Sequence, residues 1–387
     1  MNSISTLLTQ LRQLKLKLAL EGMIVGLGSG LVVVFYRLIL EKVEHIRQFV
    51  FSSQHSIWYT ISWFILLILV ALFVGKLMIQ DPMICGSGIP QVEGVLANKL
   101  KMNPLSVLIR KFIGGTLCIG AGLSVGREGP SIQLGAATAQ YLSQLTKLSK
   151  TEEKYLISSG ASAGLAAAFN APLAGVIFAI EELGRGVMLR WERRVLLGVL
   201  AAGFILVAIQ GNSPYFPAYK GATSIPYLYL WLAICGIVCG VLGGIFGRLL
   251  AKGLAGLSPL KWRDWIRKHP IYIALLLGLV LAAMGTYSEG QTYGTGYNVV
   301  ARTLEGQLVS PEVGILKLFA TVTTYWNGIA GGIFTPSLTT GAGIGTMLWE
   351  ISNGMVDQRF LVILCMAAFL AGGTQSPVTA SVVVMEM

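Results

Sequence analysis

Ten apolar stretches, at 18–40, 57–79, 105–123, 156–180, 195–210, 227–251, 271–286, 313–330, 332–349 and 359–371, decide what this chain can fold into. Several are shorter than the ~20 residues a helix needs to cross a bilayer. Many are cut by Gly or Pro, of which the chain holds 47 and 13. Backbone groups freed by such breaks cannot face lipid, so the segments survive only where protein or a water-filled cavity surrounds them. The pattern predicts an all-α, multi-pass integral membrane protein of broken and tilted helices. Composition agrees, since only 12% of the residues are charged, about half the fraction of a soluble domain.

The net charge of +11 would point to nucleic acid in a soluble protein. Here the basic residues cluster in connecting segments, "LRQLKLKL" (11–18), "RGVMLRWERR" (185–194) and "KWRDWIRKH" (261–269). The positive-inside rule places all three, and the N-terminus, in the cytoplasm. No fold presents these clusters to nucleic acid, so no such partner is expected. The basic N-terminal segment leads into a full-length span with no clear cleavage site, which argues against a removable signal. The five cysteines include no CxxC. Cys235 and Cys239 share a helix face and read as small apolar residues at a helix contact. His45, His55 and His269 form no ligand pattern. Neither a metal nor a cofactor is expected.

The chain repeats itself. "FYRLIL" (35–40) resembles "FGRLLA" (246–251), and "GSGIPQV" (86–92) resembles "GTGYNVV" (294–300). "GREGPSIQLG" (126–135) resembles "GIFTPSLTTG" (332–341), and "LAAAFNAPLAGVIFAIEE" (165–182) resembles "LAGGTQSPVTASVVVMEM" (370–387). Each match is weak alone; four in one order, with separations drifting only from 211 to 205 residues, are not chance. The basic flank precedes helix 18–40 but follows its counterpart, from Arg248 through Lys268. The halves are therefore expected to be inverted, a transporter architecture with its site near the midplane at the repeat interface. Residues 1–210 form the first repeat, 211–226 an outside linker and 227–387 the second repeat. By the same symmetry a counterpart of helix 195–210 is expected beyond Met387.

Three motifs share one logic: Gly86, Ser87, Gly88, Ile89 and Pro90; Gly126, Arg127, Glu128, Gly129 and Pro130; Gly332, Ile333, Phe334, Thr335 and Pro336. Pro suits the first turn of a helix and Gly frees the backbone before it. Each motif reads as a helix start, where unpaired N–H groups and the positive end of the dipole point outward. Several aimed at one point make an anion site without a formal cation, weak enough for an ion to leave again.

With these motifs in order, the chain resembles the CLC family of chloride channels and chloride/proton antiporters, over essentially its whole length. The stretch "GLAAAFNAPLAGVIFAIEE" (164–182) adds to the likeness. The resemblance implies that chloride, as transported ligand, is held by the hydroxyl of Ser87 and the backbone N–H groups of Ile333 and Phe334. It implies that Glu128 is the external gate and proton-transfer group and that Glu182 is the internal one. It also implies a homodimer with one pathway per subunit, in a prokaryotic plasma membrane. The family's inner-gate tyrosine lies on its last helix, and its place falls beyond Met387.

Glu128 answers to competition. A carboxylate and a chloride are both drawn to the same N–H groups, and an anion bound alongside favours the protonated carboxyl by repulsion. Arg127 is expected to orient the loop or balance charge rather than to pair with its neighbour. Glu181 and Glu182 end an apolar helix, where the dipole disfavours them. In the repeat Glu181 matches Glu386, which reads as architecture, whereas Glu182 matches Met387, which reads as function. Asn170 is a candidate cap of a broken helix. The leading reading is a chloride/proton antiporter and the second a passive chloride channel of the same fold; Glu182 discriminates, since channel members usually carry a non-ionisable residue there. Ser87 favours chloride over fluoride or nitrate. An intramembrane enzyme would need a nucleophile–base pair or a metal cluster, and the sequence offers neither.

Overall fold

A computed structural model describes residues 2–52, 57–146, 148–184, 193–219, 221 and 225–387. Most of the basic stretch 185–194, namely 185–192, lies outside the described residues, as do residues 220 and 222–224 of the linker. Sixteen α-helices form among the described residues, and no strand does. The first eight are α1 (Asn2–Ser52), α2 (Ile57–Gln80), α3 (Ile89–Leu96), α4 (Pro104–Gly120), α5 (Glu128–Leu145), α6 (Lys150–Phe169), α7 (Pro172–Glu181) and α8 (Arg193–Gln210). They are followed by α9 (Leu228–Leu257), α10 (Leu260–Lys268), α11 (Pro270–Tyr287), α12 (Tyr297–Leu304), α13 (Glu312–Trp326), α14 (Phe334–Ile351), α15 (Gln358–Thr374) and α16 (Pro377–Glu386).

Among the described residues, four segments are long and apolar enough to cross a bilayer on their own: Lys15–Phe49, Arg193–Gln210, Leu228–Leu257 and Pro270–Tyr287. The two halves pack alike. Helix α1 lies against α4, α5 and α6 as α9 lies against α13, α14 and α15. Likewise α3 packs on α5 and α12 on α14, while α2 packs on α4 and α11 on α13.

The apolar stretch 156–180 is two helices rather than one span. Asn170 turns left-handed at φ 55° and ends α6, and Pro172 opens α7. Its side-chain amide donates to Ser213 O at 2.8 Å. The second half breaks the same way, at Gln375 (φ 60°) before Pro377. Helix α1 extends well beyond 18–40 because its polar flanks carry helix-spaced ion pairs, Arg37–Glu41 at 3.0 Å and Arg47–Glu44 at 2.9 Å.

Small residues set the packing at the centre. A Cβ on Gly135 of α5 would stand 3.0 Å from Gly160 C and 3.2 Å from Gly164 Cα of α6. In the second half a Cβ on Gly345 of α14 would stand 2.6 Å from Val362 Cα of α15. Such backbone contact is how helices associate where apolar burial gives no preference over lipid.

The two glutamates that seemed badly placed for their own helices serve each other's. The Glu181 carboxylate accepts the N–H groups of Val378 (3.0 Å) and Thr379 (2.5 Å), at the start of α16. The Glu386 carboxylate accepts those of Leu173 (2.9 Å) and Ala174 (2.6 Å), at the start of α7. Each anion meets the positive end of the other helix, a charge-assisted cap. Glu181→Ala and Glu386→Ala should each cost about 1–2 kcal/mol, seen as a lower melting temperature of the detergent-solubilised protein, with Gln variants losing less. Melts unchanged by both Ala variants would dismiss the caps.

Candidate functional site

All three glycine–proline motifs begin helices. Ile89 opens α3, with Gly88 before it and Pro90 second; Glu128 opens α5; Phe334 opens α14. The glycines differ in purpose. Gly86 (φ 63°) and Gly88 (φ 92°) adopt the left-handed conformation that side chains resist. Gly129 and Gly332 are needed instead for close approach. A Cβ on Gly129 would meet Ser87 O at 2.7 Å and Gly332 Cα at 3.1 Å. The three loops thus converge on one point.

Backbone hydrogen bonds fix that convergence. Gly126 N donates to Gly332 O at 2.6 Å and Gly332 N to Gly126 O at 2.7 Å, across the two halves. Gly86 N donates to Ile329 O (3.2 Å) and Gly331 N to Gly86 O (3.1 Å). Lys111, fully buried on α4, donates to Ile84 O (2.8 Å) and Gly86 O (2.6 Å). Lys317 on α13 does the same one repeat later, to Thr292 O (2.9 Å) and Gly294 O (2.6 Å). Sequence reasoning passed over this pair. Its signal was a lysine in each of the apolar runs 105–123 and 313–330, 206 residues apart, the separation of the second and third motifs.

Glu128 has no exposed surface. One carboxylate oxygen accepts the Thr335 N–H at 3.3 Å and the other accepts the Thr335 hydroxyl. The carboxylate therefore occupies the start of α14, where the dipole favours negative charge. Arg127 turns away from it. Its guanidinium lies 3.6 Å from Glu41 and 5.0 Å over the Tyr215 ring.

Ile333 and Phe334 stand at the N-cap and first position of α14, where the N–H groups have no intrahelical acceptor. The Phe334 ring stacks on Phe169 at 6.3 Å. Ser87 Oγ accepts the Ile89 N–H at 3.3 Å, and Ser87 N donates to Tyr325 Oη at 3.2 Å. Tyr325 is a site neighbour that sequence reasoning missed. Glu182 is held elsewhere, as the C-cap of α7, where it accepts the Ser376 hydroxyl at the start of α16. The site brings together Ser87, Glu128, Gly129, Gly332 and Thr335, and leaves Glu182 at the α7–α16 contact. No cluster of His, Cys, Asp and Glu able to hold a metal occurs among the described residues. Cys235, Cys239 and Cys365 pack together where α9 meets α15. The arrangement offers helix starts and hydroxyls to a small anion, with one carboxylate already in place.

A family model described as voltage gated chloride channel matches residues 67–387. The H(+)/Cl(-) exchange transporter ClcA of Citrobacter koseri is 30% identical over 393 residues, covering 96% of this chain and 81% of that protein. The ClcA of Salmonella arizonae is 30% identical over 401 residues, covering 98% and 83%. Among solved structures, a slow cyanobacterial Cl-/H+ antiporter superposes with a TM-score of 0.81 at 27% identity, covering 96% of this chain and 89% of that one. A CLC-type fluoride/proton antiporter shares the fold, with a TM-score of 0.80 at 22% identity over 96% and 90% of the two chains.

The two buried lysines make a testable pair. Lys111→Met and Lys317→Met keep the packing and strand two carbonyls each. Each should cost on the order of 2–3 kcal/mol, the penalty for unpaired buried acceptors, read from thermal melts in detergent. Equal losses fit their matching roles; a harmless Lys317→Met would separate them.

Proposed function

The chain belongs to the voltage-gated chloride channel family, and on that footing we propose that it exchanges chloride for protons across a membrane, with Glu128 as the group for which the two ions compete. The observation that carries this reading is the buried Glu128 carboxylate on the Thr335 N–H and O–H. An ionised carboxylate there excludes a chloride. Protonation removes the charge that holds it, and the Thr335 donors become available to the anion. Loss of the proton brings the carboxylate back and displaces the chloride. One group thereby ties each proton movement to an anion movement.

Deeper in, chloride rests on the Ser87 hydroxyl and the N–H groups of Ile333 and Phe334. Glu182 admits protons from the cytoplasmic side. Arg127, engaged by Glu41, does not pin Glu128 and leaves it able to move. Chloride and protons are the only ligands required, and no cofactor takes part. Residues 1–210 and 227–387 act as the two repeats, joined by the linker 211–226. The basic character of 11–18 and of α10 supports a cytoplasmic N-terminus. The bacterial relatives support a prokaryotic plasma membrane. A homodimer with one pathway per subunit follows from the family resemblance. A passive channel is the second reading, and the ionisable Glu182 speaks against it.

Proteoliposomes with simultaneous chloride and pH electrodes test this. Glu128→Gln mimics the protonated gate, so chloride flux should persist without proton flux and without pH dependence. Glu182→Gln should also abolish proton transport, yet chloride flux should keep its pH dependence because the Glu128 carboxylate is still present at the gate. Glu181→Gln should leave coupling largely intact. If Glu182→Gln still moves protons uphill when driven by chloride, the internal-glutamate assignment fails and the channel reading gains.

A further inference from the structure

The linker between the repeats does more than join them. Its "SPYFP" stretch (213–217) sets a proline on either side of Tyr215 and Phe216. Asn170 Nδ2 donates to Ser213 O at 2.8 Å, and Phe216 N donates to Met387 O at 3.0 Å. The strap is thus pinned to both halves and stiffened by its prolines, whose rings fix φ. Between the pins Tyr215 turns inward and is only 2% exposed. Its ring packs on Phe169 (5.3 Å), Phe216 (4.8 Å) and Tyr297 (5.3 Å). The Arg127 and Arg37 guanidiniums lie 5.0 and 5.6 Å from its centroid. A plain connection would run over the surface.

These contacts hold the ring and leave the hydroxyl unused. Tyr215 Oη is buried and has no hydrogen-bond partner among the described residues. It approaches the Thr335 hydroxyl without bonding it, and that hydroxyl is given to Glu128. Tyr215 Oη therefore stands one hydroxyl away from the carboxylate, with its lone pairs free. In this structure both carboxylate oxygens rest on Thr335, and Tyr215 makes no hydrogen bond to either. Protonation changes the demand. A protonated carboxyl gains one O–H, and in a buried place that proton needs an acceptor. Arg127 and Arg37 only donate, and Glu41 is held by both. The other unpartnered phenol, Tyr36, lies against Gly115 of α4 instead. Tyr215 Oη is the free acceptor.

We propose that Tyr215 is the dock of the protonated gate: its hydroxyl oxygen accepts the Glu128 O–H once the carboxyl leaves the start of α14. It is a positioning residue that acts through Glu128, and the inference rests on the transport reading above. A contact made in only one of two states shifts the balance towards that state. Tyr215 thus favours the protonated, open gate, as Thr335 favours the ionised, closed one. The other charged and titratable groups around the pair are Tyr36, Arg37, Glu41 and Glu44 of α1, Arg127 beside Glu128 and Tyr297 of α12. Removing one oxygen from Tyr215 leaves all of them in place, so a change in pH response reads that oxygen.

Chloride efflux from proteoliposomes, measured across a range of external pH, tests it. Without the dock the protonated gate is less favoured, so more protons are needed to open it. In Tyr215→Phe the pH of half-maximal flux should fall by about 0.5–1 unit, the worth of one hydrogen bond, with little change in melting temperature. An unchanged midpoint overturns the inference. So does a midpoint moved to higher pH, which would mean that the hydroxyl serves the ionised carboxylate. Flux that keeps its pH dependence in Glu128→Gln overturns the transport reading itself. Should Tyr215→Phe prove unstable, a crystal of Glu128→Gln decides, because its amide stands for the protonated carboxyl. An amide within hydrogen-bond reach of Tyr215 Oη supports the dock. An amide turned to another acceptor rejects the dock, and one still seated on Thr335 rejects the gate.

Discussion

A helix that starts inside an apolar molecule leaves N–H groups with no water to bond, and each must find an acceptor. This requirement organises the protein. At α7 and α16 the acceptors are carboxylates from the far end of the partner helix, Glu386 and Glu181. At α14 the acceptor is Glu128. The first two caps are reciprocal, and each engages two N–H groups. Glu128 engages one residue only, Thr335 in the first turn of α14. The same physics thus gives two-donor reciprocal caps in one place and a cap on a single residue in another, which the proposed function reads as exchangeable. What differs is whether a solute anion can take the carboxylate's place.

Symmetry separates scaffold from chemistry. Lys111 and Lys317, Glu181 and Glu386, Gly126 and Gly332, and the breaks at Asn170 and Gln375 recur in both halves and do the same task in each. Several polar residues have no such match, although Ser87 does, in Thr295. In the aligned repeats Glu128 stands opposite Phe334, Tyr325 opposite Ile119, Glu182 opposite Met387 and Ser376 opposite Ala171. An apolar partner at the equivalent place shows that packing alone does not require the polar group. A duplicated frame holds the backbone, and the proposed function rests in part on departures from that duplication.

Much of this was legible in the chain because its signals are local. Apolar runs, glycine–proline starts and the four repeat matches each lie within a few residues, so the helix starts at Ile89, Glu128 and Phe334 followed directly. The break inside 156–180 was harder, since Asn170 becomes decisive only with Pro172 behind it. The long-range contacts of the candidate residues could not be read at all. Ser87 meets Tyr325 across 238 residues, Glu128 meets Thr335 across 207, and Glu182 meets Ser376 across 194. No spacing rule reaches that far; only the fold brings the partners together. The lysine pair lies between these cases: visible once the repeat is aligned, yet with a role that needs the carbonyls to be seen.

The packing also bears on how the site can open. Inverted repeats often work by rocking one half against the other. Here the halves are stitched at the site itself, by the reciprocal Gly126–Gly332 bonds and by Gly86 with Ile329 and Gly331. The caps between α7 and α16 cross the same boundary. Around them, α5 meets α6 and α14 meets α15 backbone to backbone, with no space for a side chain between. Rocking would break several buried hydrogen bonds at once, each leaving a donor and an acceptor unpaired in a dry interior. Rotating the Glu128 side chain breaks few. The frame around the candidate site thus resists motion of whole helices and leaves the side chains free to move, and the proposed function accordingly assigns gating to a side chain rather than to a helix.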